Sequence, residues 1–197
     1  PGINNAAVDH FRIRVHGKST HVSTPHLGVD ALYIASQIVV AVQGLVTRRT
    51  SPTEPVIIGI GKLNAGTTYN AVAAFAEMEG TTRTISQESR DRVRAQVSET
   101  AQSIAALYGG TAEVEWTDFA AALVNDPQVC EEAARVVDEL LGAGHVVTDR
   151  ELSLSGDNFA EFELYKPGAY AYLGTGNPDL PHTMITNHNG GFDVDEN

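Results

Sequence analysis

The chain has 197 residues, with 25 acidic against 13 basic side chains and a formal charge of −12, a balance that disfavours binding along a nucleic-acid backbone. A hydrophobic content of 42% with 19% charged residues is that of a soluble globular protein, one domain or two small ones, with enough material for a core. No apolar run reads as a membrane span, the amino end carries no signal-peptide pattern, and the single Cys130 excludes a disulfide framework within the chain; a cytoplasmic protein without a membrane partner is the expectation.

Residues 1–9 are small and polar and read as a lead-in. From His10 to His16 the pattern alternates strictly, Phe11, Ile13 and Val15 against Arg12, Arg14 and His16, which predicts a half-exposed strand. The stretch Gly17 to Asp30 (GKSTHVSTPHLGVD) is then a connecting loop. Leu32, Ala35, Val39, Val42 and Val46 recur at helical spacing and predict a helix over 28–47, with Arg48 and Arg49 suited to its carboxyl end. Ser51 to Pro55 cannot continue it.

Val56 to Ile60 is a β-branched apolar run and predicts a strand buried on both faces or nearly so. Turn residues 64–70 lead into a long strand in which Ala74, Ala76 and Met78 oppose Phe75, Glu77, Glu79 and Arg83. Ser86 or Gln87 opens a helix with Val93, Val97, Ala101, Ile104 and Tyr108 on one face, stopped by Gly109-Gly110. Ala112, Val114 and Trp116 alternate with Glu113 and Glu115 in a last strand. The order over residues 10–119 is that of a ferredoxin-like βαββαβ unit in an α+β fold, an antiparallel sheet with two helices on one face. That fold hosts many unrelated functions.

Residues 120–197 behave differently. Asp126-Pro127 is an N-cap and first-turn pair, followed by a helix carrying Val129, Ala133, Val136, Val137, Leu140 and Leu141 and stopped by Gly142. A short strand at His145–Thr148, a helix from near Gly156 and a strand at Ala169–Leu173 are expected next. These elements do not close a core by themselves, so this part reads as a piece of a larger α/β sheet.

Four places carry polar groups that the fold does not need. His21 and His26 lie five residues apart in the loop before the first helix, where an imidazole can donate, accept or bind metal. Asn70 sits in a turn before a long strand and serves either as a turn former or as a ligand contact. Arg83, at the far end of that strand, is either a solvated arginine or a fork for a carboxylate. In the tail, His188 stands close to Asp193, Asp195 and Glu196, which reads as a metal ligand or as an exposed acidic end. The chain contains no Cys-x-x-Cys pair, Walker loop, His-Glu-x-x-His or Gly-x-Ser-x-Gly.

Taken together, GKSTHVSTPHLGVDAL, NAVAAFAEMEGTTRT, SGDNFAEF, KPGAYAYLGTG and HNGGFDVDE resemble, in order and spacing, the di-metal aminoacylase and carboxypeptidase family of metallohydrolases. The similarity is greatest to its amidohydrolase subgroup of hippurate and indoleacetyl-amino-acid hydrolases. The resemblance implies that residues 10–119 are a lid and dimerisation domain and that residues 120–197 belong to an α/β catalytic domain. It implies that His21 stabilises the tetrahedral oxyanion, in many members across a homodimer, and that Asn70 and Arg83 hold the substrate's carboxylate or backbone. His26 matches the loop motif's second histidine and is grouped with the substrate contacts, and His188 is the implied carboxyl-terminal metal ligand. The implied substrate is an N-acyl amino acid or small peptide, and the implied cofactor is two divalent ions (Zn, Mn or Co). Where the subgroup has an adjacent Glu-Asp pair this chain has Asp157-Asn158. The other metal ligands and the general base of the family are not found in it, so a fragment that is inactive and metal-free by itself is expected. The competing reading is a non-catalytic ferredoxin-like module that binds a small ligand or pairs with a second copy.

Overall fold

The computed structural model describes residues 1–196. Its strands are β1 (Gly2–Asn5), β2 (Ala7–His16), β3 (Ile57–Ala65), β4 (Phe75–Thr84), β5 (Thr111–Ala120) and β6 (Leu123–Asn125). Its helices are α1 (Ala31–Arg48), α2 (Gln87–Leu107), α3 (Pro127–Leu141) and the four-residue α4 (Ala160–Glu163). Strands β3, β4, β2 and β5 form, in that order, an antiparallel four-stranded sheet. With α1 and α2 joining the strands, this is the anticipated βαββαβ unit.

Period-2 patterning decides which side of the sheet is covered. Phe11, Ile13 and Val15 of β2 and Ala76 and Met78 of β4 are fully buried, against Ile34, Ile38 and Val42 of α1 and Val93, Val97 and Ala101 of α2. Both of these helices start where a side chain caps them: Asp30 Oδ1 accepts from the amides of Leu32 and Tyr33, and Ser86 Oγ from that of Ser89. The first helix therefore begins at Ala31, not residue 28, because Pro25–Leu27 form a separate 3-10 turn. By length and apolar content α1 would suffice for a membrane span, contrary to the sequence expectation, yet Ala31, Ile34, Ala35, Ile38, Val42 and Leu45 bury one face of it in the core. Gly80 is demanded by packing: a Cβ there would lie 2.3 Å from Phe11 Cζ and 2.4 Å from the Gly59 carbonyl oxygen.

Val56–Ile60 enters a strand as expected, but the expected burial on both faces does not hold. This run leads into β3, which is an edge strand, and Ile57 is 41% exposed. Only the face toward the helices is covered, so a continuous apolar run here does not signal a strand sandwiched between layers. The opposite face of the sheet is a charge ladder. Arg14 donates to Glu77 (3.1 Å) and Glu115 (2.7 Å), while Lys62 (2.7 Å) and His10 (3.1 Å) meet Glu79. The hydrogen bond from Lys62, with those of His10 and the charges of Lys62 and Arg12, lowers the Glu79 carboxyl to about 2 against the opposing effect of burial.

At the base of the unit, β1 pairs with β6 and the chain is stitched to residues 153–156. The Ala6 amide donates to the carbonyls of Ser153 (3.2 Å) and Ser155 (3.1 Å), and Gly156 lies so close to Val8 that a Cβ would sit 2.2 Å from its Cγ2. Beyond this, the second region has a small core of Ala121, Leu123 and Ala160, flanked by Phe159 and Tyr170. The helix expected from near Gly156 is only the short α4. His145–Thr148 and Ala169–Leu173, expected as strands, lie in no ladder. At Tyr170 the physical reason is visible. Its amide donates to Asn125 Oδ1 (2.9 Å) and its carbonyl accepts from the side-chain amides of Asn125 (3.0 Å) and Asn4 (3.2 Å), so side chains satisfy the groups a neighbouring strand would take.

Candidate functional site

The loop between β2 and α1 is closed on itself and laced to the segment before β4. Lys18 and Val29 exchange both backbone hydrogen bonds (2.8 and 2.9 Å), and Gly17 is required because a Cβ would lie 2.2 Å from the Val29 carbonyl oxygen. The Val22 amide donates to the Asn70 carbonyl (3.1 Å), the Val72 amide to that of Thr20 (2.9 Å), and His21 bridges Ala71. Two stretches 50 residues apart, at His21 and Ala71, are thereby fixed side by side at one end of the sheet.

Within this corner His21 is exposed and its ring has a defined polarity. The Ser23 amide donates to Nδ1 (3.2 Å), and Ser23 Oγ lies 2.7 Å from the same nitrogen. A backbone amide is only a donor, so Nδ1 is the acceptor and the neutral ring carries its proton on Nε2. Nε2 makes no hydrogen bond among the described residues and is a free donor on an exposed ring. Asn70 is half-buried, its Oδ1 accepting from Thr68 Oγ1 (3.2 Å), which leaves the amide nitrogen as a second free donor. Beside the pair is a cavity of about 340 Å³ walled by Val22, Leu32, Ala65, Tyr69, Ala71 and Val72, among others.

Arg83 is elsewhere. It pairs in register with Val8 and Ile57 at the opposite end of β4. It lies eight strand positions beyond Phe75, roughly 26 Å away. Its Nη1 donates to Thr81 Oγ1 (2.7 Å) and the Thr82 carbonyl (3.1 Å), and burial lowers its pKa against the opposing charge of Asp9. One substrate cannot reach Asn70 and Arg83 of the same chain. His26 is exposed on the 3-10 turn. His188 is exposed, with a left-handed φ of 62°. Among the described residues no three His, Cys, Asp or Glu side chains converge as a metal site, so the donors present do not by themselves fit a bound ion. The acidic tail is folded rather than loose: Asn177 donates to Asp195 Oδ2 (2.7 Å), and the Asp195 amide donates to the Thr175 carbonyl (2.9 Å). Asp157 Oδ1 accepts from the Phe159 amide (2.8 Å), which makes it a turn former ahead of α4.

One polar cluster was missed from the sequence. Asp9 is 1% exposed and is held by Arg90 (2.6 and 3.0 Å) and Arg94, with Asp118 at its rim. Burial raises its pKa, but the hydrogen bonds and charges of the two arginines outweigh this and leave it lowered. The signal was present. Asp9 has the core-facing parity of Phe11, Ile13 and Val15, and Arg90 and Arg94 stand four apart beside Val93 and Val97; a strand begun at His10 instead of Ala7 left the acid out.

Comparison with known proteins gives these features a family. Residues 6–108 match the model of the peptidase dimerisation domain of the M20 family. The chain is 34% identical over 192 residues to thermostable carboxypeptidase 1 of Saccharolobus solfataricus, covering 97% of this chain and 48% of that protein. It is 34% identical to N-acetyl-L-cysteine deacetylase of Bacillus subtilis, over 92% of this chain and 43% of that one. Among solved structures, a putative aminohydrolase from methicillin-resistant Staphylococcus aureus superposes with a TM-score of 0.84 at 26% identity, over 99% of this chain and 48% of that chain. The Bacillus subtilis YXEP protein, a dinuclear metal-binding peptidase, superposes at 0.78 and 28% identity, over 98% and 46%. The chain spans about half the length of the curated relatives it matches. By its dimerisation domain and these relatives together, the chain belongs to the M20 family of peptidases, deacetylases and amidohydrolases.

Proposed function

We propose that in the intact protein this chain serves the metal-dependent hydrolysis of the amide bond of an N-acyl amino acid or small peptide, supplying the transition-state donor and the carboxylate clamp. The observation that carries the reading is the saturated Nδ1 of His21, which leaves a proton-bearing Nε2 free at an exposed corner. A donor positioned on a developing oxyanion is worth a few kcal/mol, of order a hundredfold or more in rate. The Asn70 amide is the second donor at the same place, and the Arg83 fork suits the substrate's carboxylate. His188 is the residue of this chain assigned as a ligand to the divalent ions (Zn, Mn or Co). His26, exposed on the 3-10 turn, takes no part in the reaction. A cytoplasmic location goes with it.

The separation of Arg83 from His21 is the reason to make the active unit a dimer, in which one subunit's Arg83 shares a substrate with the partner's His21. The surface suited to pairing is the free edge of β3 beside the outer side of α1, which has no charged residue from Ala31 to Thr47 and exposes Val40 to 71%.

The test is kinetic and uses the full-length protein on N-acyl amino acids with added Zn²⁺ or Mn²⁺. His21→Ala lowers kcat by at least about a hundredfold with metal content unchanged. Mixing inactive His21→Ala with inactive Arg83→Ala subunits restores about a quarter of wild-type activity, because half the dimers are mixed and each carries one site free of both changes. A near-normal His21→Ala rate removes that residue from the mechanism, and no recovery on mixing removes the shared site. If the full-length protein hydrolyses no amide with any of these metals, the non-catalytic binding module is the better account.

A further inference from the structure

Thr81 and Arg83 stand two apart in β4, on the face of the sheet that the helices leave open. An arginine on such a face extends into water unless something holds it. Here it folds back along the strand, and Nη1 donates to Thr81 Oγ1 (2.7 Å) and to the Thr82 carbonyl (3.1 Å). The hydroxyl has no choice of role. Thr81 Oγ1 donates its one proton to the Asp9 carbonyl on β2 (2.7 Å), and a carbonyl can only accept. Its lone pairs are thereby turned to Arg83, whose nitrogens can only donate. Asp9 is itself fixed, its carboxylate gripped by Arg90 and Arg94 in the buried cluster. A line of contacts therefore runs from that cluster, through one carbonyl and one hydroxyl, to the arginine.

The carboxylates that could draw Arg83 elsewhere are occupied. Asp9 is shared by Arg90 and Arg94, and Glu79, on the same face of β4, is held by Lys62 and His10. Among the described residues Arg83 makes no ion pair, and its Nε and Nη2 carry no hydrogen bond. What is left is a half-buried guanidinium with one nitrogen pinned and the opposite edge free. That edge presents two parallel N–H groups, the arrangement that takes both oxygens of a carboxylate.

We infer that Thr81 is the positioning residue of the carboxylate clamp, its hydroxyl fixing Arg83 with the Nε–Nη2 edge presented before the substrate arrives. The inference rests on the proposed role of Arg83. Holding a long side chain in its bound rotamer improves affinity by removing freedom that contact would otherwise cost. The effect falls on binding of the carboxylate and not on the chemistry at the carbonyl, so a general loss of structure would not imitate it.

The experiment uses the full-length protein, an N-acyl amino acid, and the matching N-acyl amine that lacks only the carboxylate. Thr81→Val keeps the β-branched shape a strand favours and deletes the hydroxyl. It raises KM for the acid about tenfold with kcat nearly unchanged, and lowers the acid-to-amine ratio of kcat/KM by a similar factor. Thr81→Ser keeps the hydroxyl and stays within about twofold of wild type in both readouts. An unchanged ratio in Thr81→Val, an equal loss on both substrates, or a Thr81→Ser loss as large as that of Thr81→Val overturns the positioning role. Arg83→Ala is run alongside. If it abolishes the preference for the acid while Thr81→Val does not, the positioning role alone falls; if it leaves the preference intact, the clamp beneath it falls.

Discussion

Helices α2 and α3 carry apolar residues at the same spacing, yet α2 buries Val93, Val97, Ala101 and Ala105 while α3 buries nothing. Leu140 and Leu141 of α3 remain 77% and 63% exposed. The difference lies in what each helix faces. A four-stranded sheet with an apolar face stands under α2, whereas the second region offers only the two-stranded β1–β6 pair and a core of three buried residues, two of them alanines. An apolar stripe stabilises a helix only when a second layer takes it out of water. The two regions of this chain are one pattern with that layer and without it.

The contrast can be broken at several points, and Trp116, the single tryptophan, lies in β5 and reports the first region alone. Asp9→Ala has the largest expected effect. It leaves Arg90 and Arg94 without their buried counter-charge and costs about 3–5 kcal/mol in urea unfolding followed by tryptophan fluorescence; a loss below about 1 kcal/mol would mean that water already reaches the cluster. Next is a matched pair of truncations in the 197-residue chain. Ile38→Ala costs about 2–5 kcal/mol, whereas Leu140→Ala stays within about 0.5 kcal/mol. Equal costs would show that α3 is covered after all.

Gly80→Ala is expected to cost about 1–3 kcal/mol by overpacking Phe11 against the β3 backbone, and an unchanged denaturant midpoint would contradict the close approach of those strands. The smallest effect is on pH dependence. Glu79 has its folded pKa lowered from the ordinary 4.5 to about 2, and Asp9 is lowered as well, so both stabilise the fold above their unfolded pKa values. That contribution is lost as pH falls from 4.5 toward 2. Glu79→Gln removes its part of the loss, so the difference in stability between about pH 6 and about pH 3 narrows; an identical acid profile in the variant would show that the charge ladder carries no net stability.

Much of the first region was legible because its residues repeat the geometry they adopt. The alternation from Phe11 to Val15, the spacing of Val93, Val97 and Ala101, and the caps before α2 and α3 each carry a local physical reason. What failed was what depends on neighbours. Val56 to Ile60 reads the same at the edge of a sheet as in its middle, since the apolar run records one covered face and nothing about the other. Ala169 to Leu173 has strand-like residues, but a strand exists only where another offers its backbone, and here Asn125 and Asn4 do so with side chains. The site divides in the same way: His21 and Asn70 stood out as polar groups the fold does not need, while their union, and the distance of Arg83 from both, could not be read.

By itself, then, the sequence determined the order and type of the elements in residues 10–119, the covered faces of β2, β4, α1 and α2, and the loop in which a free imidazole stands, because dihedral preference and hydrophobic period act over a few residues. Tertiary structure alone decided that β3 is an edge, that Asp9 is buried between two arginines, that the loops of His21 and Asn70 meet beside a cavity, and that Arg83 lies at the far end of β4. Pairing, burial and separation are set by contacts between residues distant in the chain, and no local pattern records which partners those will be.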